Sequence, residues 1–209
     1  FDPYTILRQT IETSDVTGGG AELFLYQSGY LTIKGYQMGV YILGFPNSEV
    51  RQALYETVLP ALTLRGNSDI QSIQSDLLLA IQLGNLPEAM KCLKALIADV
   101  PYSNKKLASM DMEERYRLIM STIFNAIGCR VEVEKMIATG RIDMVVETTQ
   151  YIYVLELKLS DNGGVDAAAE QIRAKQYAEP FKADKRKVIA LAIELDDRGK
   201  GLVDWKEVF

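Results

Sequence analysis

Two apolar runs in the C-terminal half of the chain predict a β-hairpin. Ile142–Glu147 and Tyr151–Leu159 are rich in Val, Ile and Tyr, which favour strands, and the polar residues Thr148, Thr149 and Gln150 separate them. Over most of the second run, both alternating sets of side chains are apolar, which is typical of a strand that is buried on both faces. We therefore expect this strand to lie in the middle of a sheet.

The pattern on either side of the hairpin predicts a compact α/β unit, in which a strand follows each of two helices. The predicted elements are a helix from Asp111 to about Ile127, a strand at Cys129–Met136, the hairpin, a loop at Ser160–Gly164, a helix from Val165 to about Tyr177 and a strand at Lys187–Glu194. The order α-β-β-β-α-β predicts an α/β (α+β) fold with a mixed central sheet that is flanked by helices.

The first 103 residues predict a different kind of region, which is mainly helical. Residues 1–20 are polar, end in three glycines and predict a tether or loop. The other predicted elements are a short helix at Ala21–Ser28, a hairpin of Tyr30–Lys34 and Val40–Gly44, a helix from Ser48 to about Leu59 capped by Asn47, a helix at Asp69–Leu83 capped by Ser68, and a helix from Pro87 to about Ala98. The short helix, the hairpin and the helix after it resemble a winged helix. The last two helices form a helical hairpin. We place a domain boundary between residues 103 and 104.

The absence of histidine narrows the possible chemistry. With no histidine among 209 residues, the chain has no Ser-His or Cys-His catalytic pair and no histidine ligand for zinc. Its two cysteines, Cys92 and Cys129, lie in apolar helical patterns without metal-binding spacing, and we expect buried thiols in a reducing cytoplasm. A hydrolase built from this sequence must therefore work through carboxylates, lysine and a metal ion.

The overall composition is that of an ordinary globular protein. The net charge of −5 does not indicate tight non-specific binding to nucleic acid. No apolar run is long enough for a membrane helix and no secretory signal is present, so we expect a cytoplasmic protein. The chain begins at Phe1 rather than at a methionine, so we expect a fragment of a longer protein. It also has no GxxxxGK[ST] phosphate loop for hydrolysing ATP.

Two charged residues interrupt the second strand of the hairpin and need a partner. Glu156 and Lys158 share one face, because side chains alternate along a strand. If the turn is centred after Thr149, Asp143 lies opposite Glu156 with Cβ atoms roughly 5 Å apart. Two carboxylates this close favour a cation between them, and hard oxygen ligands favour Mg²⁺ or Mn²⁺. Waters and the Leu157 carbonyl are the further candidate ligands.

This constellation predicts a metal-dependent phosphodiesterase, with Lys158 within reach of an attacking water or a transferring phosphoryl group. A buried salt bridge is the alternative, in which Glu156 or Asp143 pairs with Lys158 or Arg141 and has no catalytic role. The short spacing alone does not decide, because the segment Asp204–Lys206 has it too. The apolar strand and the acid on the neighbouring strand distinguish the site in the hairpin.

The hairpin resembles the PD-(D/E)XK nuclease superfamily through Asp143 and the motif Glu156-x-Lys158 on the next strand. The segments GRIDMVVET, YVLELKL and QIRAKQYAEPF are similar to the branch found C-terminal to a predicted AAA-type ATPase in many gut bacteria. Ile142 stands where the superfamily has the proline of its name, which bears on the local turn, since the proline is not a ligand. The segment LFLYQSGYLTIKGYQMGVYILGFPNSEV also resembles the part that joins the ATPase to the nuclease.

The resemblance implies a restriction-endonuclease-like core, an Mg²⁺ or Mn²⁺ cofactor, a nucleic-acid substrate such as DNA, and an ATPase domain that is missing from this fragment. It makes Glu114 a third carboxylate that faces the metal or its water, although a capping box with Asp111 suits Glu114 equally well. It places Gln171 at the active site, supported by Tyr177, with Lys175 one turn further along the same face. A solvated polar helix face is the alternative for these residues.

Two further segments are candidates for contact with nucleic acid. Lys182, Lys185, Arg186 and Lys187 cluster before the last strand and could hold a phosphate backbone, whereas charge runs before strands are usually solvated. The winged element could bind DNA, but it is acidic and its tyrosines fit a core. We therefore predict a metal-dependent nuclease. The alternatives are a catalytically silent module that binds nucleic acid or a partner ATPase, and a nuclease that the N-terminal half couples to the missing ATPase.

Overall fold

The computed structural model describes residues 4–7, 20–62, 67–98 and 110–209. The chain divides into two units, residues 1–54 and residues 55–209. The predicted boundary between residues 103 and 104 falls in a range outside the described residues, so it stays a prediction. None of the described helices is long and apolar enough to cross a membrane.

The N-terminal unit is built on a three-stranded antiparallel sheet. Its elements are β1 (Tyr4–Leu7), α1 (Gly20–Gln27), β2 (Thr32–Gln37), β3 (Val40–Gly44) and the start of α2 (Ser48–Leu62), with β3 between β1 and β2. The predicted hairpin of β2 and β3 is confirmed. Its turn residues, Met38 and Gly39, both have positive φ angles, 50° and 81°, which match the twist of two-residue hairpin turns. The Asn47 side chain accepts the Val50 N–H at 2.9 Å and so caps α2, as predicted.

Strand β1 lies where the sequence predicts a tether or loop. It pairs with β3 from Tyr4 opposite Leu43 to Leu7 opposite Val40. A four-residue strand that pairs with a distant segment shows no local periodicity, so the pattern of apolar positions could not indicate it. The rest of the predicted tether, residues 8–19, lies outside the described residues.

The second unit contains a mixed sheet, as the sequence predicts, and this sheet has five strands. Its strands are β4 (Arg130–Ile137), β5 (Gly140–Glu147), β6 (Tyr151–Leu159), β7 (Lys187–Leu195) and β8 (Leu202–Glu207), in that spatial order. Strands β6 and β7 are parallel, and all other neighbours are antiparallel. The prediction omits the edge strand β8, because its side chains are mostly exposed and it has no apolar alternation.

Helices cover both faces of this sheet. They are α3 (Asn67–Leu83), α4 (Leu86–Ala98), α5 (Met112–Ala126) and α6 (Gly164–Ala174). The first three pack on one face, against Tyr153, Leu155 and Leu157 of β6. Helix α6 packs on the other face, against Ile152 and Val154. Because successive side chains of β6 enter two different cores, the strand is apolar on both faces.

Two helix boundaries differ from the predicted ones. Helix α3 begins at Asn67, so Ser68 lies within the helix rather than before it. Helix α6 ends at Ala174, short of the predicted end near Tyr177, because Gln176 has a left-handed φ of 51°. Tyr177 is nevertheless fully buried, so its apolar position continued the helical period beyond the real end of the helix.

Candidate active site

The candidate site lies where β5 and β6 stop pairing. The ladder between them ends with Met144 opposite Leu155, in the register that the sequence predicts for Asp143 and Glu156. Beyond that pair, Asp143 Oδ2 accepts the Leu157 N–H at 2.9 Å. A side-chain carboxylate, rather than a backbone carbonyl, therefore joins β5 to β6 at this point.

A local distortion of the sheet surrounds Asp143. Ile142 and Val145 both pack in the core beneath α6, so the alternation of side chains shifts by one residue between them. On the neighbouring strand β4, Glu134 has a left-handed φ of 54°, and its pair with Asp143 is missing from a ladder that continues on both sides. Such irregularities often lie beside active sites, where they change the direction of a side chain.

Glu156 is the most deeply buried acid of the site. Its side chain is 0% exposed, and Asp143 is 5% exposed. Burial, and after it the negative charge of Asp143, raises the pKa of Glu156 to about 7, against the opposing effect of Lys158. Lys158 Nζ lies 3.5 Å from Glu156 Oε1, which is longer than a strong charge-assisted hydrogen bond. The ammonium and the carboxylate therefore form a long ion pair.

Helix α6 and the turn after it supply two side chains that hold Glu156. Gln171 Nε2 donates to Glu156 Oε1 and lies 3.1 Å from Tyr177 Oη. The Tyr177 hydroxyl lies 3.0 Å from Glu156 Oε2 and 2.6 Å from the carbonyl oxygen of Arg141, and its single proton serves one of them at a time. Burial raises the pKa of Tyr177, so the hydroxyl keeps its proton. The structure thus brings Gln171 and Tyr177 to Glu156, where the resemblance implied them.

On the other side of Asp143, helix α5 contributes a buried guanidinium. Arg117 Nη2 is 3.5 Å from Asp143 Oδ1 and 3.2 Å from Glu113 Oε1. Arg117 Nη1 is 2.9 Å from Glu134 Oε1. Burial raises the pKa of Glu113, Lys158 opposes this effect, and Asp143 adds to it. Glu113 is therefore coupled electrostatically to the predicted site.

The acid that α5 directs toward the site is not the predicted one. Glu114 is exposed, and its backbone N–H is accepted by Asp111, which caps the helix. Its neighbour Glu113 contacts Arg117 instead. Adjacent helical residues point about 100° apart, so both cannot face one site. The sequence does contain a pattern that indicates Glu113. Glu113, Arg117 and Met120 are spaced as residues on one face of a helix, and this face is the buried side of α5. Neither Glu113 nor Arg117 is among the residues that the sequence predicts for the site.

Lys175 lies at the same end of the sheet as the acidic cluster. It follows the last residue of α6, and its side-chain carbons cover Gly140, where a Cβ atom would come within 2.9 Å of Lys175 Cδ. The Thr139 hydroxyl donates to the Lys175 carbonyl. Gly140 immediately precedes Arg141, whose carbonyl contacts Tyr177, so Lys175 lies close to the rim of the site.

Most of the predicted basic cluster before β7, namely Lys185, Arg186 and Lys187, lies at the opposite end of the sheet from Glu156 and Lys158. The first residue of β7 pairs with Tyr151, whereas Lys158 pairs near the end of β7. At about 3.3 Å per residue, these two ends of β6 are roughly 23 Å apart. Lys185 is exposed at this far end, next to Arg186. Lys182 is exposed as well, and its ammonium lies 2.7 Å from Glu179 Oε1.

Arg186, the third member of that cluster, is bound within the protein. Its guanidinium is 2.9 Å from Glu147 Oε2 and 2.7 Å from Asp184 Oδ2, and it donates to the Thr148 carbonyl at 3.1 Å. These contacts tie the turn between β5 and β6 to the segment before β7. Its charge is therefore already compensated by two carboxylates.

The oxygen atoms of Asp143 and Glu156 fit a hard divalent cation. Both carboxylates are buried, and each has about four acceptor positions, of which the contacts described above use only a part. Carboxylates in this setting favour Mg²⁺ or Mn²⁺. Within the described residues, no group of three or more His, Cys, Asp or Glu side chains is arranged to hold a metal ion. Further ligands would therefore be water and backbone carbonyls such as that of Leu157.

Comparison with known proteins gives a family match for the same region. Residues 111–205 match the family model of the PD-(D/E)XK nuclease superfamily, a range that contains the predicted site and most of the five-stranded sheet. The mixed sheet with flanking helices is consistent with the restriction-endonuclease-like fold of that superfamily. No solved structure matches the chain.

A longer curated protein also resembles the chain. It is an uncharacterized protein in the vnfD 5′ region of Azotobacter chroococcum mcd 1, and it is 29% identical over 212 residues. The alignment covers 95% of this chain but only 39% of that protein. The chain thus spans about two fifths of the length of this relative.

Proposed function

We propose that residues 111–205 form a metal-dependent nuclease that hydrolyses phosphodiester bonds in nucleic acid, with DNA as the substrate. The observation that carries this proposal is the buried Glu156 carboxylate beside Asp143 and Lys158. A buried acid with a strongly raised pKa is unfavourable for stability, and such groups concentrate at functional sites. The match to a nuclease family supports the same class of reaction.

Asp143 and Glu156 would hold Mg²⁺ or Mn²⁺, with the Leu157 carbonyl as a further ligand. When bound, such an ion polarises a phosphoryl oxygen and makes a bound water more acidic. Gln171 and Tyr177 restrict the rotation of the Glu156 carboxylate through hydrogen bonds to its two oxygens. The site therefore has its acidic groups in place before a substrate arrives, which lowers the cost of assembling it.

Lys158 supplies a positive charge beside the reacting phosphate. It neutralises charge that develops on the phosphoryl oxygens or orients the attacking water. Its side chain is only 17% exposed, so solvent screens its interactions weakly. A preorganised group of this kind contributes about 3 kcal/mol to stabilisation of the transition state.

The direct test is DNA cleavage by the wild type and by the variants Glu156→Gln and Lys158→Met. Each variant should lower the rate about 100-fold or more, with circular dichroism and thermal unfolding reporting an intact fold. The matched controls are Asp204→Asn and Lys206→Met, because they alter the same acid-x-lysine spacing on the edge strand β8. The controls should cleave at the wild-type rate. Equal cleavage by the wild type and both site variants would refute the assignment.

We also propose that the nuclease region acts in a longer protein that carries an AAA-type ATPase. The supports are the resemblance of residues 23–50 to the joining segment of such proteins and the greater length of the curated relative. If the ATPase and the nuclease are coupled, ATP should accelerate DNA cleavage by a protein that contains both and should have no effect on residues 1–209 alone. Cleavage that is independent of ATP in both would contradict coupling.

A catalytically silent module is the second candidate, because both oxygens of Glu156 already have hydrogen-bonding partners in Gln171 and Tyr177. In that case the carboxylates form a structural cluster, and the core only binds nucleic acid or a partner. Calorimetry with Mn²⁺ separates the two candidates. A catalytic site binds the ion and loses it in Glu156→Gln, whereas a silent core gives no heat of binding with either protein.

A further inference from the structure

Arg117 is a buried arginine that the proposed reaction does not use. It is 9% exposed, and its guanidinium contacts acids from three different elements: Glu113 on α5, Glu134 on β4 and Asp143 on β5. One cation therefore connects a helix to two strands at the point where their ladder is distorted. A buried charge is unfavourable unless its surroundings compensate it, which here requires three carboxylates.

The contacts of Arg117 involve its two terminal nitrogens, Nη1 and Nη2, and leave the third nitrogen, Nε, without a partner. Among the described residues, Arg117 Nε is the one fully buried side-chain nitrogen or oxygen atom without a hydrogen-bond partner. A buried N–H group without a partner destabilises the fold. The orientation of the guanidinium thus satisfies the three acids rather than its own hydrogen-bonding capacity.

We infer that Arg117 is a positioning residue for Asp143, an inference that rests on the proposed metal-binding role of Asp143. The two oxygens of Asp143 have different partners: Oδ2 accepts the Leu157 N–H at 2.9 Å, and Oδ1 faces Arg117 Nη2 at 3.5 Å. Contacts to both oxygens limit rotation about the bond between Cβ and Cγ. The acceptor positions that remain on the carboxylate then have a fixed direction in which to meet a cation.

The planar shape of the guanidinium is needed for this role. Nη1 is anchored 2.9 Å from Glu134, and Nη2 lies 3.2 Å from Glu113 and 3.5 Å from Asp143. A guanidinium holds these directions rigidly, whereas a lysine ammonium concentrates the same charge at one point. Arg117→Lys therefore keeps the charge and loses the simultaneous contacts.

The charge and the geometry of Arg117 have opposite effects on a bound cation, so experiment can separate them. As a charge, Arg117 repels a divalent ion near Asp143, and its removal tightens binding. As a positioning group, it keeps the carboxylate oriented, and loss of such an outer contact to a metal ligand weakens binding about 10- to 100-fold. In this inference the second effect is the larger one.

The first test uses the whole chain in the presence of a chelator. The Leu157 amide donates to Asp143 Oδ2, so its hydrogen should exchange with solvent several-fold faster in Arg117→Met and Arg117→Lys than in the wild type. The Ile189 amide, on β7, should exchange as in the wild type. The matched control is Arg141→Met, which removes the other guanidinium that contacts Glu134 and should leave the Leu157 amide unchanged.

The second test is calorimetric titration of the same proteins with Mn²⁺. Both Arg117 variants should bind Mn²⁺ about 10- to 100-fold more weakly than the wild type, and Arg141→Met should bind it like the wild type. Retention of wild-type affinity in Arg117→Lys would mean that charge alone is sufficient, which overturns the inference. Mn²⁺ binding that becomes tighter in Arg117→Met would overturn it as well.

The two tests distinguish failure of this inference from failure of the proposed function. If the wild type binds no Mn²⁺, the proposed function fails, whereas faster exchange of the Leu157 amide still supports Arg117 as the residue that positions Asp143. Unchanged exchange in the Arg117 variants overturns the inference whatever the metal does. If Arg117→Met does not fold, the same measurements on Arg117→Lys decide the question.

Discussion

At the scale of single residues, Glu156 makes the stability of the metal-free protein depend on pH. Its pKa is raised from an ordinary 4.5 to about 7 in the fold. Between these values the folded protein keeps a proton that the unfolded chain has lost, so the free energy of unfolding falls as the pH rises. The contribution of the neutral acid is complete below about pH 4.5, and it is lost as the pH rises through 7.

Glu156→Gln should remove this dependence on pH. From pH 4 to pH 8, the free energy of unfolding of the variant should rise relative to the wild type by up to about 3 kcal/mol, since one pKa unit corresponds to about 1.4 kcal/mol. Urea unfolding in a chelator, followed by the fluorescence of Trp205, the single tryptophan, measures the difference. A constant difference between the two proteins at every pH would show that Glu156 has no raised pKa.

At the scale of elements, the rotation of helix α5 decides which acid faces the site. We expect Glu113→Gln to lower DNA cleavage about 10- to 100-fold, because Glu113 holds Arg117 beside Asp143. Glu114→Gln should cleave like the wild type, because Glu114 is exposed. Steady-state cleavage rates of the two variants measure this. A large loss in Glu114→Gln with none in Glu113→Gln would reverse the assignment.

The strands of the site could be predicted from sequence better than the helix that covers it. The apolar runs around a short polar turn determine both strands and their register. Alternation along the strand then predicts that Glu156 and Lys158 lie on the same face. The helix residue depends on a rotation of about 100° per residue, and the resemblance indicated Glu114 rather than Glu113. Strand β1 is only four residues long, and the edge strand β8 has mostly exposed side chains, so neither could be recognised from its apolar pattern.

At the scale of the whole molecule, the sheet topology separates the end of α6, which lies at the site, from the basic cluster before β7, although the two are close in sequence. Tyr177 contacts the site, and the basic cluster of Lys185, Arg186 and Lys187 follows soon after it in the sequence. Because β6 and β7 are parallel, the chain must return to the start of the sheet before β7 begins, which takes the cluster to the far end. Sequence proximity to Gln171 therefore did not predict proximity to the site.

This topology gives a prediction for substrate binding. Lys175→Met should weaken binding of DNA and lower the magnitude of its salt dependence by about one unit of slope, because Lys175 lies at the rim of the site. The double variant Lys185→Met with Lys187→Met removes more charge, all of it from the far end, and should affect binding less. Fluorescence anisotropy at several salt concentrations measures both. A larger loss in the double variant would place the nucleic acid at the far end.

The proposed function requires that Asp143 and Glu156 hold a single divalent cation where β5 and β6 separate. A crystal soaked in Mn²⁺, with diffraction data collected on both sides of the manganese absorption edge, locates the ion directly. The expected result is an anomalous peak in contact with a carboxylate oxygen of Asp143 and one of Glu156. A crystal that binds Mn²⁺ elsewhere and shows no peak between these two side chains would contradict it.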